Sequence, residues 1–358
     1  MVLSGGGFRI GIHLGMHAAA VARGRAPDLL LATCGGAVAA ATIASLPDDD
    51  QRKAWLASRE MYQFWCGLRS SKRAGIARTL LQAARRHFAR GSAATIPDLF
   101  QEYLFEFPPA LPEPTRAGLA QVAVAIIGGK LLFDEAEVGQ RRRQRKLFAE
   151  TVFCDARAAA LLAGMKSPLG EARWGNHAIA DTLLTDTATP LWTAARISVS
   201  DMVYFRCHQH GAAHYIGGVL DLFPIELARR LAEQVVLEYK QSYDQLFAIP
   251  ALRSVLGLDG NRRLKYVNGQ AADVRIDTSD LETALPRESI GNRVNWRRNR
   301  IELAVPPDYA TYVRHIEAQW QYGYQRAIEA FDAESRGAQV TMREATRHNA
   351  APASFSAR

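Results

Sequence analysis

The fold class that this sequence predicts is α/β with a mostly parallel central sheet, and three observations predict it. Met1-Val2-Leu3 is a short apolar strand, broken by Gly5-Gly6-Gly7 and followed over residues 9–23 by small and apolar residues that suit a buried helix. Leu29-Leu30-Leu31-Ala32, Thr33-Cys34-Gly35-Gly36 and the Ala-rich residues 37–45 repeat the order of strand, tight turn and helix. Two such units within the first 45 residues mark the start of a parallel, helix-covered sheet. The third observation is ordinary globular composition: 358 residues, 48% hydrophobic and 22% charged. Such a chain buries a large core without staples.

The later elements follow from pattern and punctuation. Residues 48–105 read as helical, and Phe107-Pro108-Pro109-Ala110-Leu111-Pro112-Glu113-Pro114 is a Pro-rich break. Residues 115–146 read as an insertion, with an apolar stretch over 122–132 and then Arg141-Arg142-Arg143-Gln144-Arg145-Lys146. Residues 148–153 are a strand, and Thr189-Pro190 starts a helix through Ala195. Residues 215–223 read as strand, Gly-Gly turn and strand, with a helix over 224–239. Residues 308–333 are a long helix, and 340–358 have little apolar pattern. The expected organisation is one main domain over 1–335. It carries an inserted helical segment at about 108–146 and a C-terminal extension at about 240–335, and 336–358 are a flexible tail.

Several classes are excluded. No run of 18 apolar residues indicates a spanning helix. The first residues lack the charged and apolar regions of a secretory leader. Cys34, Cys66, Cys154 and Cys207 lie far apart without CxxC spacing, which argues against a zinc ribbon, a thioredoxin-like motif or a dense disulfide framework and points to a reducing, cytoplasmic compartment. The net charge of +8 favours anionic partners. No metal or cofactor motif is present, and no nucleic-acid-binding motif accompanies the basic runs.

Gly5-Gly6-Gly7 permits three readings: a turn needing positive φ, a phosphate site at a helix N-terminus, or an oxyanion hole of backbone N–H groups. GxGxxG and GxxxxGK[ST] are both absent, which weakens the phosphate reading. Ala32-Thr33-Cys34-Gly35-Gly36 favours the last. A nucleophile elbow places one reactive side chain on a strained strand-to-helix turn between small residues. Cys34 has a plain alternative as a small buried residue, but it occupies the elbow position at a helix N-terminus, where a thiol pKa is lowered.

With these blocks in place, the sequence resembles the patatin-like phospholipase family. Leu3-Ser4-Gly5-Gly6-Gly7-Phe8-Arg9 with His13-Leu14-Gly15 resembles its oxyanion block, GGGx[RK]G…HLG. Thr33-Cys34-Gly35-Gly36-Ala37 sits where the family has T-S-A-G-A. Thr189-Pro190-Leu191-Trp192 through Ser198 resembles the helix before its last catalytic block. Tyr215-Ile216-Gly217-Gly218-Val219-Leu220-Asp221-Leu222-Phe223-Pro224 resembles Y-x-D-G-G-x-x-D-N-F-P. The blocks run in family order from residue 1 to about 230. The resemblance implies a three-layer α/β/α fold and metal-free ester hydrolysis of lipids, or acyl transfer, by a Ser–Asp dyad.

Both dyad positions depart from the family. Cys34 replaces the Ser and keeps a nucleophile, whereas Ile216 stands at the Asp and cannot take a proton. Ile10, Ala32 and Leu222 depart from the pattern as well. His214 shares a strand face with Ile216, roughly 7 Å away, which makes it the candidate substitute base, with exposure on a hairpin as its plain alternative. Asp221 is a weaker candidate whose family equivalent is structural. Gly5, Gly6, Gly7 and Gly35 are the expected oxyanion donors.

Two functions are therefore expected. One is an acyl hydrolase or acyltransferase acting on a lipid or acyl thioester through Cys34. The other is a catalytically inactive relative that binds a lipid, an acyl group or a partner protein. Residues 61–97 hold Arg69, Lys72, Arg73, Arg78, Arg85, Arg86 and Arg90 with no Asp or Glu, and apolar residues lie between them. Residues 69–90 thus suit an anionic membrane surface, with a solvated helix face as the plain alternative. Arg297-Arg298-Asn299-Arg300 is a further basic cluster.

Overall fold

The computed structural model describes residues 1–88, 93–115, 122–340 and 342. In chain order the first elements are β1 (Val2–Leu3), α1 (Ile10–Ala22), β2 (Leu29–Ala32), α2 (Gly35–Ser45), α3 (Asp49–Leu56), α4 (Arg59–Gly67), β3 (Arg69–Ser70) and α5 (Ile76–Phe88). Then come β4 (Phe105–Glu106), β5 (Ala123–Leu131), β6 (Phe148–Phe153), α6 (Ala156–Leu162), β7 (Ile179–Asp186), α7 (Leu191–Ser198), β8 (His208–His210) and β9 (Ala213–Ile216). The rest are α8 (Ile225–Leu231), β10 (Val236–Tyr239), α9 (Ala248–Leu256), α10 (Gly260–Asn268), β11 (Val274–Asp277), α11 (Leu281–Ala284), β12 (Gly291–Asn295), β13 (Arg300–Ala304) and α12 (Tyr309–Ser335).

The central sheet runs β1-β2-β5-β6-β7, with β9 joining β5 and β8 joining β9. β1, β2 and β5 are parallel neighbours, as are β6 and β7, while β6 and β9 meet β5 antiparallel. Alternate residues feed opposite layers, because successive strand side chains point to opposite faces. Val2, Leu31, Ala125, Ile127 and Val152 pack with α6 and α8. Leu3, Leu30, Ala32, Ile126 and Phe153 pack with α1, α2, α7 and α12. Both faces are covered, so β2 is apolar throughout and β5 nearly so, with Lys130 its one charged residue.

Four sequence expectations are corrected. The span expected as an inserted helical segment contains β5, which bonds β2, β6 and β9. A strand buried on both faces has no alternation to distinguish it from a helix. After β9, Gly218–Leu220 form a single 3₁₀ turn in place of a second strand. The helix expected over 224–239 stops at Leu231, and β10 follows. Residues 93–104 are not helical. Most of the expected tail lies outside the described residues.

The C-terminal region closes the fold. α12 lies along α1 at backbone contact distance: a Cβ on Gly15 would sit 2.0 Å from the Trp320 carbonyl oxygen, and one on Gly323 2.0 Å from that of Ile12. Only glycine allows such an approach. β10 and β11 form a parallel pair, and β12 and β13 an antiparallel hairpin.

Candidate active site

The candidate elbow is built where β2 ends and α2 begins. Cys34 adopts φ 50° and ψ −125°, a strained conformation for a non-glycine residue. Its amide donates to Ser198 Oγ at 2.9 Å, and Ser198 Oγ donates to the Ile127 carbonyl at 2.7 Å. The end of α7 and strand β5 therefore hold the turn from behind.

The two Gly-rich turns meet in front. A Cβ on Gly35 would lie 2.3 Å from the Gly7 carbonyl oxygen, and Gly7 has φ 58°. A Cβ on Gly5 would lie 3.6 Å from Cys34 Cβ. The Gly35 N–H bonds the thiol and favours its ionised form. An N–H at that position also faces any oxyanion that grows on a carbonyl attacked by Sγ.

The group bonded to the thiol is one that sequence reasoning missed. Cys34 Sγ donates to Asp201 Oδ2 at 3.4 Å. Asp201 follows α7 by three residues, and its Oδ1 is buried with no hydrogen-bond partner among the described residues. Burial pushes its carboxyl up to about 7, against the opposing pull of the thiol and the Val219 amide. Burial, reinforced by the Asp201 charge, raises the thiol well above its ordinary value. The pair is therefore a neutral thiol beside a carboxyl that changes charge near neutrality.

The other candidate bases are engaged elsewhere. The His214 ring packs edge-on to Phe100 at 5.1 Å. Asp221 is buried against Arg263 Nη2 at 3.0 Å, and Arg263 also pairs with Glu226. Ile216 is buried opposite Gly129 of β5. Gly218 keeps its place against the elbow: a Cβ there would lie 2.8 Å from both Cys34 N and Ser198 Oγ.

A second missed group supports the Gly turn from below. Glu238, at 2% exposure, accepts from Ser4 Oγ and lies 3.2 Å from His13 Nε2 and 3.4 Å from Lys240 Nζ. The Thr278 hydroxyl is 3.0 Å from its other oxygen. Burial alone would raise this carboxyl, but Lys240, His13 and Ser4 together hold it down at about 2. Lys240 Nζ also donates to the Gly5 carbonyl at 2.7 Å, and its charge reaches the Cys34 thiol. The sequence signals for this network were Ser4, Gly5 and His13 of the first family-like block, while Glu238 and Lys240 lie beyond the blocks.

With this geometry in hand, the comparisons add two findings. A family model described as patatin-like phospholipase matches residues 1–229. Comparison with the curated proteins finds no match.

Proposed function

We propose, because this chain belongs to the patatin-like phospholipase family, that it is a lipid acyl hydrolase or acyltransferase whose nucleophile is Cys34 and whose base is Asp201. The supporting observation is the 3.4 Å contact from Cys34 Sγ to Asp201 Oδ2 at the strained elbow. Family membership supplies the coarser part of the reading, action on the acyl ester of a lipid. The Cys34–Asp201 pair supplies the finer part.

In this reading, Asp201 takes the thiol proton as Sγ attacks the acyl carbonyl. The oxygen gains charge facing the N–H of Gly35 and those of the Gly5–Gly7 turn. The tetrahedral adduct collapses to an acyl thioester, and Asp201 returns the proton to the departing alkoxide or thiolate. Water or a second acceptor, deprotonated in turn by Asp201, releases the acyl group. Lys240 is a positioning residue that holds the Gly5 carbonyl and lends positive charge to this side of the pocket.

The inactive, acyl- or partner-binding reading draws on the raised thiol pKa and on Ile216 at the family's Asp position. Intact mass after incubation with p-nitrophenyl and thioester acyl chains separates the two. The enzyme reading expects an acyl adduct on Cys34, lost in Cys34→Ala. Absence of the adduct, with turnover unchanged in Cys34→Ala, rejects it. Esterase activity gained by Cys34→Ser with Ile216→Asp would show a working pocket and oxyanion hole.

A further inference from the structure

Helix α5 is inside out. Its inward side carries the polar residues Thr79 and Gln82, with Gln82 and the flanking Arg78 both donating to Glu102. Its outward side carries Ala77, Leu80, Leu81, Ala84 and Phe88, a continuous stripe at helical spacing. Leu80 is 48% exposed, Leu81 52% and Phe88 78%. A helix that folds against its own domain turns such a stripe inward. Here the polar contacts to Glu102 hold it outward.

The hairpin of β12 and β13 stands beside the start of this helix. Ile76 N–H donates to the Asn299 carbonyl at 3.4 Å, and Ile301 N–H to that of Ala74 at 2.8 Å. The hairpin turn carries Trp296, 65% exposed, followed by the exposed Arg297, Arg298 and Arg300. Among the described residues, Arg85, Arg297 and Arg300 have no ion-pair partner. The acids nearby, Glu102 and Glu302, are already bonded to arginines.

Taken with the Arg residues at its edge, we propose that the outward stripe of α5 and the Trp296 turn form one docking surface for an anionic lipid bilayer. Leu80, Leu81 and Phe88 enter the acyl boundary, Trp296 sits at headgroup level, and Arg85, Arg297 and Arg300 meet lipid phosphates. The same hairpin also reaches the segment that carries Asp201. Asn292 of the same hairpin donates to the Tyr204 hydroxyl at 3.2 Å, and Tyr204 lies three residues beyond Asp201. The inference deepens the proposed function by saying where a lipid substrate is met. It is nevertheless read by binding, without turnover. Arg90, part of the basic segment in the sequence, lies outside the described residues.

The test is vesicle flotation of the full chain carrying Cys34→Ala, so that failure of the catalytic reading does not touch it. Vesicles are phosphatidylcholine alone or with phosphatidylglycerol. The chain should float with the anionic vesicles, less so at high salt. Leu81→Glu should reduce binding about tenfold or more, and Arg85→Ala or Arg297→Ala about fivefold each. Brominated lipid should quench fluorescence in the parent but much less in Trp296→Phe. Equal flotation of parent and Leu81→Glu, or quenching unchanged by Trp296→Phe, would overturn the proposal. So would a dimer in light scattering that Leu81→Glu dissolves while vesicle binding persists, since the stripe would then cover a second copy of the chain.

Discussion

Two buried carboxylates stand behind the two turns of the candidate site, Asp201 at the Cys34 turn and Glu238 at the Gly5–Gly7 turn, and their partners treat them oppositely. Asp201 and Glu238 are both withdrawn from water, which by itself raises a carboxyl pKa. Glu238 answers with Lys240, His13, Ser4 and Thr278, and is held at about 2. Asp201 has the thiol and one amide, and is pushed up to about 7. One is a fixed charge that braces the Gly turn. The other is poised to gain and lose a proton at the pH of the cell. In this pair the charged partners of Glu238, rather than depth, separate a carboxyl held ionised from one raised toward neutrality.

The largest effects would come from the reactive side. Cys34→Ala should abolish the acyl adduct in mass spectrometry. Asp201→Asn should lower kcat/KM about 10²–10⁴-fold with the fold intact, as loss of a general base does. In the parent, kcat/KM should rise with pH through about 7, because Asp201 must be ionised to accept a proton. That arm should vanish in Asp201→Asn, and a profile without it would leave Asp201 no role as base.

The bracing side should show a different signature. Glu238→Gln should cost about 1.5–3 kcal/mol of stability, the worth of charged hydrogen bonds, read by urea denaturation at pH 7. Glu238 has a depressed pKa, so its contribution is fully present above about 4.5 and is lost as pH falls toward about 2. Lys240→Ala should lower kcat roughly tenfold and Lys240→Arg should restore most of it, with KM for a small p-nitrophenyl ester little changed.

The smallest effect sharpens the contrast. Asp201→Asn should raise the melting temperature by a few degrees at pH 8, because it removes an uncompensated buried charge. The sign follows from the raised carboxyl. Below the unfolded value the folded state keeps the neutral form at no cost, and stability is lost as pH rises toward the folded value of about 7. A lowered melting temperature would place Asp201 among the structural groups with Glu238.

Legibility in the sequence divides along the same line. The Gly5–Gly7 turn and the Cys34 elbow were readable because each is a local event: a strand ends, small residues follow, a helix begins. Asp201 was not. It reaches the thiol because α7 packs on α2 and its C-terminal residues fold back over the elbow, and no spacing along the chain encodes that. His214 was chosen by strand periodicity, which is sound for a strand face but silent about where the face points. Strand β5 was hidden by its double burial. Strand β10 was hidden by its position directly after a helix of compatible composition. Glu238 and Lys240 were invisible because their meaning depends on Ser4, His13 and Gly5, which stand more than 200 residues away.

The contact of α1 with α12 joins segments made far apart in time. Residues 10–22 are synthesised before the helix that covers them, residues 309–335. Until then the strand, turn and helix that carry Gly5–Gly7 lack the partner that covers the α12 side of α1. The same reasoning applies to Glu238 and Lys240, which also arrive late. A nascent or truncated chain ending near residue 229 thus holds every family-like motif and no supported site.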